Sequence, residues 1–194
     1  MPRLILASAS PRRRDLLRQI GLQPDGIVAA DLDETPLPDE APQRLAERLA
    51  QAKARHVQSG FPDDFVLAAD TVVSCGRRIL PKAESREAAA VCLRLLSGRR
   101  HRVTTGVALY APGGRLSSRR VTTVVRFKVL SETEQRAYLE SAEWQGKAGG
   151  YAIQGMADAF VASLSGSWSN VVGLPLHETA NLLTGLGFPV WNRS

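Results

Sequence analysis

Side chains suited to a phosphorylated ligand recur in several separate stretches of this 194-residue chain. Ser8, Arg12, Arg13 and Arg14 stand in "LASASPRRRDLL", and Glu34 in the acidic loop "DLDETPLPDEAP". Lys53 stands in "LAQAKA", Asp70 and Thr71 in "AADTVV", Lys82 in "ILPKA", and Tyr151 and Gln154 in "GKAGGYAIQG". Cations neutralise phosphate oxygens, paired carboxylates hold Mg²⁺, and a base orients water. Together these residue types are the parts needed to hydrolyse a metal-bound polyphosphate.

Each residue also has a plainer explanation. Three arginines crowd what reads as the first turn of a helix, where Ser10 suits the N-cap and Pro11 the first helical position. A cation there opposes the helix dipole by about 0.3–1 kcal/mol, so an anion is expected nearby; the alternative is a solvated basic surface. Successive helical residues diverge by about 100°, so all three cannot address one point, and Arg14 is expected to be solvated. Alternation places Val66, Ala68, Asp70 and Val72 on one face of a strand. A carboxylate there needs a partner: a metal, a salt bridge, a proton to accept, or a nearby turn.

Lys53 carries more information than its type suggests. With Leu45 at zero, Leu49, Lys53 and Val57 fall at roughly 40°, 80° and 120° on a helix, so the lysine lies within the apolar stripe. It should point to the core or a cleft and meet an anion, unless its stem snorkels outward. Glu34 and Lys82, taken alone, read as surface charges. In the Gly-rich run, Tyr151 can pack or stack and Gln154 offers a donor and an acceptor to a base edge, though a tight turn would use the same glycines. His56, His101 and His177 share no metal-ligand spacing, and "GSWSNVVG" is not a nucleophile elbow.

The elements that must position these residues alternate between strands and helices. A strand over 3–8 leads to a helix stopping at Gly21, and the acidic loop leads to a helix over about 41–59. A strand over 65–73 and a helix from Ser85 to Gly98 follow. "HRVTTGVALY" and "RRVTTVVRFKVL" form a long hairpin around Pro112-Gly113-Gly114. Ser131 and Glu134 make a capping box for a helix to about 141, and then come the Gly-rich run, a strand "AFVASL" and a helix opened by Pro175. These elements imply one α/β domain over 1–194 with a mixed sheet.

Apolar residues make up 44% and charged residues 23%, as in a soluble globular protein, and the net charge of +6 suits a polyanionic partner. Aromatic residues are only 6% and no nucleic-acid reader motif is present, so a nucleic-acid module, despite "GRRHR" and "SSRR", is the weaker expectation. Cys75 and Cys92 match no disulfide or metal spacing, which with the absence of a signal or membrane-spanning run points to the cytoplasm.

"LASASPRRRDLL", "LAQAKA", "AADTVV", "LSGRRHRVTTGVAL", "GKAGGYAIQG" and "VVGLPL", in this order, resemble the Maf family of nucleoside triphosphate pyrophosphatases, also described as septum-formation inhibitors. The resemblance implies an elongated mixed sheet flanked by helices, similar to the inosine-triphosphate pyrophosphatases, with a nucleotide cleft between two lobes. It implies a divalent metal, Mg²⁺ or Mn²⁺, and cleavage between the α and β phosphates. Its proton acceptor falls on Asp70, its phosphate and metal shell on Ser8, Arg13, Glu34, Lys53 and Lys82, with Glu34 and Asp70 as the metal-facing carboxylates. Its base-selecting positions fall on Arg12, Thr71 and Gln154, in the combination of the dTTP- and UTP-directed subgroup. Departures occur at Pro81-Lys82-Ala83, Gly150, Ala152 and Trp168. The implied partner is a nucleoside triphosphate; a homodimer is compatible with the resemblance, as is a cell-division regulator without essential catalysis.

Overall fold

The computed structural model describes residues 3–191. Seven strands among them form one mixed sheet. Strand β1 (Leu4–Leu6) runs parallel to both β2 (Gly26–Ile27) and β3 (Phe65–Cys75). Strands β5 (Arg100–Tyr110), β6 (Leu116–Phe127) and β7 (Val161–Ser165) continue the sheet antiparallel, and β4 (Arg78–Leu80) folds back on the end of β3. The expected hairpin is therefore β5–β6, and the mixed sheet flanked by helices is the architecture observed.

Helix α1 (Pro11–Gln19) follows β1, and α2 (Pro42–Gln58) crosses one face of the sheet. On that face Ala50, Ala54 and Val57 pack against Val66, Ala68 and Ala108, while Leu45, Ala46 and Leu49 pack on Val72. The opposite face of β3 contributes Phe65, Leu67, Ala69 and Val73 to the largest core. That core also takes buried residues of α1, α3 (Arg86–Leu96), α4 (Glu132–Ser141), α5 (Trp168–Val172) and α6 (Leu176–Gly185).

Several local expectations need correction. Ser10 makes no side-chain cap, which leaves the first turn of α1 open; separately, its backbone N–H donates to Ser8 Oγ at 3.2 Å. The first two residues of "AFVASL", Ala159 and Phe160, belong to a 3₁₀ turn over Met156–Phe160, and the strand is Val161–Ser165, because the ladder to β6 starts at Val161. The short elements β2, β4 and α5 fall below the length at which periodicity is visible in a sequence. The caps of α3 by Ser85 and of α4 by the Ser131–Glu134 box form as expected.

One gap in the sheet defines the site. β1 pairs with β3 only as far as Leu67, and β4 pairs with it only from Val73. Between them one edge of β3 carries no neighbouring strand, and there the chain leaving β1 turns into α1. Ligand sites favour such places, at the carboxyl ends of strands.

Candidate active site

A cavity of about 500 Å³ lies at this gap. It is lined by all nine positions to which the resemblance gives a role: Ser8, Arg12, Arg13, Glu34, Lys53, Asp70, Thr71, Lys82 and Gln154. Its volume suits a ligand of nucleotide size.

Asp70 and Thr71 project to opposite faces of β3, so each draws on a different layer. On the α2 side Lys53, a residue only 8% exposed, places its ammonium 2.5 Å from Asp70 Oδ1 and 2.5 Å from Glu34 Oε1. Lys82 Nζ lies 2.6 Å from Glu34 Oε2. Charges thus alternate along Asp70, Lys53, Glu34 and Lys82. Burial alone would raise the Glu34 carboxyl, but its hydrogen bonds and charge contacts with Lys53 and Lys82 outweigh burial and hold it at about 2. The lysine of the apolar stripe does point inward, and the two apparent surface charges are drawn together.

On the other side Arg13 spans three segments. Its Nε donates to Gly173 O at 2.8 Å, Nη1 to Ser8 Oγ at 2.9 Å and Nη2 to Thr71 Oγ1 at 3.3 Å. The Thr105 hydroxyl donates to Asn170 O at 3.1 Å. Its single proton is thereby used, so Thr71 must be the donor in the 2.9 Å contact with Thr105 Oγ1. A directed chain runs from Arg13 through Thr71 and Thr105 to the Asn170 carbonyl. Burial pushes the Arg13 guanidinium below arginine's ordinary value, opposed by the charges of Asp70 and Glu34. Arg12 is lowered first by burial and then by Arg13. Arg14 is only half-exposed; it meets Asp15 at 3.5 Å and does not line the cavity, so it is less solvated than expected.

The far wall is the Gly-rich segment. Tyr151 is buried and packs edge-on against Phe127 and His101 rather than offering a stacking face. Its hydroxyl lies 2.8 Å from His101 Nε2, and the Tyr138 hydroxyl accepts the Ala152 N–H at 3.1 Å. These two bonds anchor the segment that presents Gln154, whose side chain is exposed. Sequence reasoning missed Lys147, which lines the cavity from the same run; the signal was a lone lysine among glycines.

Five cations and two carboxylates line the cavity, and both carboxylates are already paired with Lys53 and Lys82. Arg12, Arg13 and Lys147 remain without a carboxylate partner among the described residues, so the cavity favours an anion. No group of three His, Cys, Asp or Glu side chains is placed to bind a metal among the described residues. Two hard carboxylate ligands nevertheless fit Mg²⁺ chemistry, in which substrate phosphates and waters complete the shell.

Residues 3–186 match the sequence model of the family described as "Maf-like protein". The chain belongs to the Maf family. This Maf chain is 60% identical over 187 residues to a protein of Caulobacter vibrioides named dTTP/UTP pyrophosphatase, covering 96% of this chain and 97% of the relative. It is 61% identical over 185 residues to one of the same name from Paramagnetospirillum magneticum, covering 95% and 97%. Among solved structures, the Staphylococcus aureus Ham1 protein aligns with the Maf chain at a TM-score of 0.42 and 17% identity, covering 64% of this chain and 71% of that one. No helix among the described residues is long and apolar enough to cross a membrane.

Proposed function

We propose that the chain hydrolyses dTTP and UTP to the nucleoside monophosphate and pyrophosphate, with Asp70 as the base. The observation that carries this is the convergence of separate cationic segments and two carboxylates, Asp70 and Glu34, on one nucleotide-sized cavity. The identity to relatives named dTTP/UTP pyrophosphatase supports the choice of substrate.

Asp70 Oδ1 is held by Lys53, while Oδ2 has no hydrogen bond among the described residues and is the oxygen that takes a proton from the attacking water. Lys53 fixes both carboxylates at once. Arg13, already braced by Ser8, Thr71 and Gly173, binds phosphate oxygens without a change of geometry, which limits the reorganisation needed to reach the transition state. Lys82 and the open first turn of α1 add donors to the phosphate chain. Glu34 and Asp70 would hold a divalent cation, which supplies charge neutralisation at the phosphate oxygens. Gln154 pairs its amide with the imide edge of the pyrimidine, and Arg12 and Thr71 complete the base-selecting set. The free thiols Cys75 and Cys92 suit a reducing, cytoplasmic setting.

Pyrophosphate release from dTTP with Mg²⁺ or Mn²⁺ tests this. Asp70→Asn and Lys53→Ala should each lose about 10²–10⁴-fold in kcat, and full activity in both variants would refute the roles.

A further inference from the structure

Residues 146–149 are hydrogen-bonded to the segment that carries Lys82. Gly149 N–H donates to Pro81 O at 3.0 Å, Ala83 N–H to Lys147 O at 3.1 Å and Gly146 N–H to Ala83 O at 2.9 Å. Lys82 and Ala148 form an antiparallel bridge. Gly146 and Gly149 take φ of 63° and 69°, a region side chains with a Cβ rarely adopt, so the backbone on both sides of Lys147 is confined to one path. A Cβ at Gly149 would also fall 2.8 Å from Val73 Cγ1, so this loop is seated directly on β3.

The Lys147 side chain lines the cavity and donates to Gln145 O at 2.8 Å. It has no ion pair among the described residues. Burial pushes its ammonium below lysine's ordinary value, the charge of Arg12 pushes the same way, and Glu143 opposes them. Glu143 does not line the cavity, and one of its oxygens accepts the Met156 N–H at 2.8 Å. A partly desolvated ammonium with no ion-pair partner is relieved by an anion arriving beside it. In a pyrimidine nucleoside triphosphate the formal charge resides on the phosphates, and Lys53 and Lys82 are already matched by Asp70 and Glu34.

We propose that Lys147 is a substrate-binding residue that grips the phosphate chain rather than the base. The backbone ladder ties the loop carrying Lys147 to the segment carrying Lys82, and both side chains line the cavity together with Arg12 and Arg13 of α1. This inference rests on the pyrophosphatase reading for its substrate, but not for its test.

Inorganic tripolyphosphate is the probe, titrated calorimetrically with Mg²⁺ into the wild type, Lys147→Met, Lys147→Gln and Lys147→Arg. Loss of one charge-assisted contact should weaken binding about tenfold or more in the Met and Gln variants, with most of the affinity kept in Lys147→Arg. In parallel, dTMP formation should show a KM for dTTP raised by a similar factor in the Met and Gln variants, with kcat within about threefold of wild type. Unchanged tripolyphosphate affinity in the folded Met and Gln variants overturns the role of Lys147, even if the KM for dTTP rises, because the contact would then be to the base. A wild type that binds tripolyphosphate but forms no dTMP overturns the pyrophosphatase reading and leaves the phosphate contact standing.

Discussion

Gly106 lies directly opposite Asp70 in the β3–β5 ladder, and a Cβ on it would overlap the Ala46 carbonyl of α2. The glycine thus lets α2 lie against the sheet beside the carboxylate that its own Lys53, two turns on from Ala46, must reach. Gly106→Ala should lift the helix. Overpacking of this kind costs about 1–3 kcal/mol of stability, and a displacement near 1 Å at Lys53 costs on the order of 10²-fold in kcat. Thermal melts and steady-state rates on one preparation check this; unchanged kcat would show that α2 does not set the Lys53–Asp70 contact.

Metal removal should abolish activity without loosening the fold. Glu34 and Asp70 are neutralised by Lys53 and Lys82 within the protein, so neither is left as an unpaired charge when no cation is bound. With two carboxylates as the protein's share of the shell, the cation should dissociate readily. EDTA is expected to stop pyrophosphate release, added Mg²⁺ or Mn²⁺ to restore it, and the Tm to move by about 1 °C or less, since stabilisation by a bound ion grows only with the logarithm of its concentration over Kd and is small for a weakly held one. A large fall in Tm with EDTA would indicate a structural metal instead.

What was legible in the sequence follows from periodicity. Lys53 could be placed inward because a helix repeats every 3.6 residues, and Asp70 could be assigned to the face of Val66 and Val72 because a strand repeats every two. Glu34 lies in a loop, which has no period, and only the family resemblance brought it to the site. The brace from Arg13 to Gly173 joins residues 160 apart in the chain, a contact no local pattern encodes. Gly106 did leave a signal, a lone glycine inside a β-rich run, which marks close backbone approach. Ser10 misled because a good capping residue was placed where the turn stays open.

Arg13→Lys keeps the charge and removes the fork. A lysine cannot donate simultaneously to Ser8, Thr71 and Gly173 in the planar arrangement seen. Losing charge-assisted bonds worth about 1.5–3 kcal/mol each should lower kcat/KM by at least about a hundredfold, while far-UV circular dichroism stays native. Activity close to wild type in Arg13→Lys would mean that charge alone suffices at this position.

His101 makes stability depend on pH. Burial holds its imidazole at about 4, below the ordinary 6.5, so the native state keeps it neutral and bonded to the Tyr151 hydroxyl. Between those values the unfolded chain binds the extra proton, so this contribution is complete above about pH 6.5 and is lost as pH falls toward 4. Between pH 7.5 and 5.0 the loss should be about 2 kcal/mol. Urea unfolding of wild type and His101→Gln at both pH values isolates it: the variant should be less stable at pH 7.5 but lose less on acidification. Because Tyr151 belongs to the segment that presents Gln154, the variant should also discriminate less between dTTP and dCTP. Equal pH dependence in the two proteins would assign the acid sensitivity to other groups.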